Sequence, residues 1–189
     1  MVKKILFGNE IEKMPDFAFR MMKAFFVVYY FFRPARNYLQ KFGIKPGSVV
    51  VDYGCGPGAC IRDASLLAGE AGTVYAVDIH EMAIESVKEL IRKHSLKNVR
   101  TILTDGNRAS VPDEVADLIY ALDMFHMVKD TGSFLKELNR ITRKDGILII
   151  EDGHQPRSAS REKILKSGYW KIIGEEKKFL KCTPTKLIG

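Results

Sequence analysis

Cysteine is scarce in this 189-residue chain: Cys55, Cys60 and Cys182 are the only three, odd in number and without a C-x-x-C pair. That excludes a disulfide framework and a zinc ribbon, and a reducing, cytoplasmic setting is expected. No His/Cys pair has a recognised ligand spacing either, so no bound metal is expected. No repeat, low-complexity tract or linker interrupts the chain, and 46% hydrophobic content is enough for one globular unit. The basic, apolar start Met1-Val2-Lys3-Lys4-Ile5-Leu6-Phe7 stops at Gly8-Asn9-Glu10, too soon for a signal peptide. The greasiest run, Phe17–Phe32, is too short to span a bilayer and contains Arg20 and Lys23, so no transmembrane segment is expected.

An acidic excess is also missing. Net charge is +7, with a pI near 9.3. The basic residues are spread over the chain, and the densest cluster, Glu175-Glu176-Lys177-Lys178, carries its own acids. An ordinary solvated surface explains this most simply, with nucleic acid or a membrane surface as the alternatives.

What is present is an alternation of strands and helices. Five apolar runs have strand length: Val49–Tyr53, Val74–Val77, Val99–Leu103, Asp117–Leu122 and Ile147–Ile150. Their near-continuous hydrophobicity suits a parallel sheet covered on both faces. Between them lie helical signals at Ala59–Ala68, Glu81–His94 and Ser133–Arg143, and Lys144-Asp145-Gly146 reads as a turn. In the tail, Gly168–Gly174 and Lys178–Cys182 read as an antiparallel hairpin. The expected fold is a doubly wound, Rossmann-like α/β sheet, mostly parallel, whose ligands bind beyond the carboxyl ends of the strands.

The first of those ends carries the chemistry. Val49-Val50-Val51 runs into Asp52-Tyr53-Gly54-Cys55-Gly56-Pro57-Gly58, a buried strand turning sharply into a helix with its backbone stripped for close approach of a ligand. Gly54-x-Gly56-x-x-Ala59 also satisfies the looser dinucleotide fingerprint, and Asp78 after the second strand could hold a ribose in either case. Asp52 separates the two readings. A pyrophosphate gains nothing from a carboxylate there, whereas a cationic sulfonium and ammonium cofactor does.

With its acid and three alternate glycines, this stretch resembles the first motif of the class I S-adenosylmethionine-dependent methyltransferases. The likeness runs from about Lys45 to Asp152 and, through Leu122–Met127, Phe134–Arg140 and Lys144–Ile149, is similar to the UbiE-like and type 11 groups. It implies a seven-stranded sheet with the last strand reversed and S-adenosyl-L-methionine as cofactor. The cofactor residues it implies are Asp52, Tyr53, Gly54, Cys55, Gly56 and Gly58 at the loop. It adds Asp78 on the ribose, Ile79 and Met82 near the adenine, Asp105 with Gly106 at the adenine amino group, and the backbone at Ala121 and Leu122. Asp78 and Asp105 have a second reading as caps of the following helix.

Methyl transfer from a sulfonium is an in-line displacement that positioning and water exclusion largely accomplish, so no dedicated catalytic residue is required. A hydroxyl or amine acceptor would need a base. The candidates are His126 after the fourth strand, and Asp152 and His154 after the fifth; His80 and His94 read as surface residues on or beside a helix.

Residues 1–44 form an aromatic-rich cap in this reading, ahead of a methyltransferase domain at residues 45–189. Asp16 starts a helix that Pro34 stops. Its aromatic density favours packing over the sheet as one wall of an acceptor pocket. The alternatives are an interfacial helix whose Lys13, Arg20, Lys23 and Arg33 meet anionic lipid, and a dimer contact. The expected activity is methyl transfer to a small-molecule acceptor, with a hydrophobic one favoured. Two alternatives stand beside it: an RNA methyltransferase, and a non-catalytic cofactor-binding partner subunit. Nucleic acid is disfavoured, because no Asn/Asp-Pro-Pro-Tyr/Phe motif follows the fourth strand.

Overall fold

Residues 15–32 and 35–185 are described by a computed structural model of the chain. The basic start at Met1–Phe7, Lys13, Arg33 and the Pro34 helix stop lie outside the described residues. Seven strands form one sheet: β1 (Val49–Tyr53), β2 (Thr73–Asp78), β3 (Val99–Leu103), β4 (Ala116–Ala121), β5 (Thr142–Glu151), β6 (Trp170–Glu175) and β7 (Phe179–Pro184). Their spatial order is β3-β2-β1-β4-β5-β7-β6. The first five are parallel, and β7 runs antiparallel to both β5 and β6.

Register follows from alternation, because successive side chains leave a strand on opposite faces. Val50, Val74, Leu118, Tyr120 and Ile149 enter one core, and Val51, Ile119, Leu148 and Ile150 enter the other. Helices α3 (Ile61–Ala68) and α4 (Glu81–His94) cover the first face, together with the short α2 (Arg36–Leu39) and the single 3₁₀ turn that follows it. Helices α5 (Thr131–Ile141) and α6 (Arg157–Ser167) cover the second. The Trp170 indole donates to the Leu135 carbonyl at 2.9 Å, fastening β6 to α5.

Helix ends follow their side chains. The Asp130 carboxylate accepts from the Ser133 amide at 3.0 Å, so α5 begins at Thr131, two residues earlier than its hydrophobic stripe implies. The helix also stops at Ile141, because Thr142 and Arg143 already belong to β5. Ala116 pairs with Thr142 but Leu118 pairs with Ile147, so Arg143–Gly146 bulges from the ladder. The turn expected at Lys144-Asp145-Gly146 is this bulge, and Gly146 permits it: a Cβ there would lie 2.7 Å from the Ala116 carbonyl.

Helix α1 (Asp16–Phe32) lies against the start of α4. The Phe19 ring meets the His80 ring at 4.5 Å, His80 Nε2 is 3.4 Å from an Asp16 carboxylate oxygen, and Lys23 pairs with Glu89 at 3.1 Å. His80 is therefore not a surface residue. It is 3% exposed, and its Nδ1 accepts from the Met82 amide at 3.3 Å as the N-cap of α4. His94 is half-buried at the other end of that helix. No helix among the described residues is long and apolar enough to cross a membrane.

Candidate active site

The carboxyl ends of β1, β2, β4 and β5 open into one cavity of about 1130 Å³, roofed by Phe19, Met22 and Phe25 of α1. Ordinary small-molecule pockets hold roughly 300–1,000 Å³, so this one is at the large end of that range. Asp52, Tyr53, Gly54, Cys55 and Gly56 line it from β1, and Asp78 and Ile79 from β2.

The loop after β1 is shaped by its glycines. Gly54 has φ 82°, and its amide and that of Cys55 both donate to the Val77 carbonyl, at 2.8 and 3.1 Å, which ties the turn to β2. At Gly56 the loop opens toward the cavity, where an added Cβ would find only the Met22 methyl, at 3.7 Å. Gly58 does a different task. A Cβ there would lie 2.7 Å from Leu90 Cδ1 and 2.9 Å from Val87 Cγ2, so Gly58 packs α4 against the loop and does not line the cavity.

Two carboxylates back this loop. Asp78 accepts from the Gly56 amide at 2.8 Å through one oxygen and from the His80 amide at 2.9 Å through the other. Its carboxylate thus fixes the loop, while the capping role passes to His80; burial raises the Asp78 pKa and those two amides oppose the rise. Asp52 is buried and its pKa is pushed up to about 8. Loss of water is the main cause, the Tyr120 hydroxyl beside it favours the charge, and Asp78 adds repulsion. That hydroxyl completes no hydrogen bond of normal geometry. An uncompensated buried carboxylate of this kind is suited to a cationic ligand.

Some expected residues are elsewhere. Asp105 is exposed and does not line the cavity; its carboxylate accepts from the Asn107 amide at 2.9 Å and the Asn107 side chain at 3.2 Å, which lowers its pKa, so it closes a turn where no helix follows. Gly106 and Asn107 line the wall in its place. Leu122 lines the cavity, but Ala121 points into the core beneath α5. Met82 lies in the first turn of α4, outside the lining.

At the far end of the cavity, Asp152 is the one acid–base candidate of the three that lines it. Its Oδ2 accepts from Arg157 Nε at 2.7 Å, while its buried Oδ1 has no hydrogen-bond partner among the described residues. His126 and His154 stand just outside, in edge-to-face contact with each other. Sequence reasoning missed Tyr38, whose hydroxyl donates to Glu151, and Asp123; both line the cavity with Glu151. Glu151 and Asp123 carried a signal, since both sit at carboxyl ends of strands, whereas Tyr38 comes from a helix too short to announce itself.

An acid-glycine loop after β1, an acid after β2 and this strand order define a class I S-adenosylmethionine-dependent methyltransferase domain, with that cofactor as its ligand. The residues fit the cofactor: the loop backbone opens at Gly56, Asp52 offers a buried carboxyl that a cation would draw into its charged form, and Asp152 an unused acceptor oxygen. The chain belongs to the family described as "Methyltransferase domain", whose pattern matches residues 44–182.

Among its relatives is the nocamycin O-methyltransferase of Saccharothrix syringae, 31% identical over 133 residues, covering 70% of this chain and 47% of the relative. The ubiquinone/menaquinone biosynthesis C-methyltransferase UbiE of Teredinibacter turnerae is 27% identical over 122 residues, covering 64% and 49%. In fold, the chain is similar to a SAM-dependent methyltransferase from Aquifex aeolicus, with a TM-score of 0.76 at 23% identity, covering 92% of this chain and all of that one. The chain spans about half the length of the curated relatives it matches. Their names carry an oxygen and a carbon acceptor respectively, so kinship defines the donor and not the acceptor.

Proposed function

We propose that the chain transfers a methyl group from S-adenosylmethionine to a small, largely apolar acceptor. The observation that carries this reading is one continuous cavity in which the glycine loop and Asp78 lie beneath the apolar α1 side chains Phe19, Met22 and Phe25, with Asp152 of the β5 loop in the same lining. When bound, the cofactor supplies an activated methyl group. Asp78 holds the ribose, Asp52 faces the cationic end and the Gly54–Gly56 backbone lets the ligand approach closely. Ile79 and Gly106 flank the adenine. Phe19, Met22 and Phe25 exclude water and position the acceptor, so α1, within the expected segment 1–44, acts as a cap on the domain expected at residues 45–189. Asp152 can take a proton from an acceptor that carries one.

If Asp78 grips the ribose, Asp78→Ala weakens cofactor binding by about 1.5–3 kcal/mol, the range for hydrogen bonds to a charged group. Calorimetry reads this directly, and unchanged affinity removes the assignment. The activity itself is tested by incubating the protein with labelled cofactor and fractionated cell extract. Label in an organic-soluble fraction supports the proposal. Label confined to RNA favours the nucleic-acid alternative, and none in any fraction favours a non-catalytic binding subunit.

A further inference from the structure

The loops after β4 and β5 bring together three side chains from separate parts of the chain: Asp123, His126 and His154. One ligand atom from each lies within 4.8 Å of the others, and the two imidazole rings meet edge to face at 4.8 Å. Two backbone features build this arrangement. A Cβ at Gly153 would lie 2.1 Å from His126 Nδ1, so the glycine is what lets that ring lie against the β5 loop. Asp123 has φ 51°, a left-handed conformation that Asp and Asn adopt more readily than other residues with a side chain, and it turns the chain at the end of β4.

We propose that Asp123, His126 and His154 bind a divalent transition-metal ion where the β4 and β5 loops meet the cavity. Two imidazoles and one carboxylate suit Zn²⁺, Mn²⁺, Fe²⁺ or Co²⁺ better than Mg²⁺ or Ca²⁺. Donor atoms around an ion with bonds of about 2.0–2.1 Å are roughly 3–3.5 Å apart, so the widest separation in the set closes by up to about 1.3–1.8 Å on loading. Asp123 and His154 are exposed and His126 half-buried. The spacing argument against a metal misses this site because the ligands come from two strand ends.

Three protein ligands leave open coordination positions, and Asp123 and Gly153 both line the cavity. The ligand class for those positions is a hydroxyl-bearing acceptor, a role that rests on the methyl-transfer reading. The acceptor oxygen gives a lone pair to the ion, its O–H bond becomes more acidic, and the proton leaves to solvent while the oxyanion stays bound.

The test uses the full chain, stripped with a chelator and titrated with Zn²⁺ and then Co²⁺. One-to-one binding in the micromolar range is expected, with the visible absorption of Co²⁺ in nitrogen and oxygen ligation. His154→Ala and Asp123→Asn each weaken it at least tenfold; asparagine also tolerates the left-handed backbone. Retained affinity for S-adenosylhomocysteine shows that a variant is folded, and Asp123→Asn decides if His154→Ala loses it. Binding no tighter than millimolar, or affinity unmoved by both ligand substitutions, overturns the proposal. A wild-type protein that takes Zn²⁺ but no S-adenosylhomocysteine would instead overturn the cofactor reading and leave the metal site standing.

Discussion

Asp52→Asn is expected to make the protein more stable and a poorer binder of S-adenosylmethionine. The buried Asp52 carboxyl has its pKa raised from 3.8 to about 8, chiefly by loss of water. A carboxyl whose folded pKa lies above its unfolded value contributes stability that is full below about pH 4 and is lost as pH rises through about 8. The amide carries no such cost. The variant's advantage therefore grows from pH 4 to pH 8 and then levels off, reaching on the order of 2–4 kcal/mol. For a chain of this size that is roughly 5–15 °C in Tm.

Binding moves the other way. A cationic ligand draws Asp52 into its charged form, so wild-type affinity rises with pH up to about 8 and binding below that releases a proton. Loss of the charged partner weakens binding by about 1.5–3 kcal/mol, or roughly ten- to hundredfold. Thermal melts and calorimetry at pH 5, 7 and 8.5 check both halves. A variant that melts no higher than wild type and binds as tightly contradicts this view of Asp52.

Arg140→Ala is expected to cost about 3–5 kcal/mol, because it leaves a buried carboxylate without its counter-charge. Arg140 donates to both oxygens of Glu137, at 2.8 and 2.6 Å, and to Asp113. It also donates to the Val111 and Ala109 carbonyls at 2.9 and 3.1 Å. The Glu137 side chain is 7% exposed and accepts from the Ala109 amide at 2.9 Å as well. This knot ties the segment between β3 and β4, whose Gly106 and Asn107 line the cavity, to helix α5. Denaturant unfolding should show the loss, and Arg140→Met combined with Glu137→Gln should recover much of it, since no bare charge then stays buried. A single-variant loss below about 1 kcal/mol would contradict the role given to the knot.

The sheet was legible because its central parallel strands are buried on both faces and so read as near-continuous apolar runs; β1 and also the half-exposed edge strand β3 have the bounds their residues imply. Helix α6 was not read, since among its residues only Ser160 and Ile164 are buried and so narrow a stripe leaves little periodicity. In the site, the glycine loop, Asp52 and Asp78 were readable because strand-end chemistry is local in sequence. Asp105 misled because an acid after a strand serves equally well as a turn cap, and the choice depends on where Asn107 folds. His80 misled because its neighbours in sequence are helical and polar, whereas burial comes from Phe19, sixty residues away. The Asp123–His126–His154 cluster has no signature along the chain at all, because β4 and β5 become neighbours only in the sheet.

The central claim is that the loop between β1 and α3, backed by Asp52 and Asp78, holds S-adenosylmethionine. Calorimetric titration of the purified chain with S-adenosylhomocysteine and, separately, with NADH tests it most directly. One-to-one binding of S-adenosylhomocysteine, weakened in Asp78→Ala and with no heat from NADH, is the predicted result. Binding of NADH with none of S-adenosylhomocysteine would contradict it.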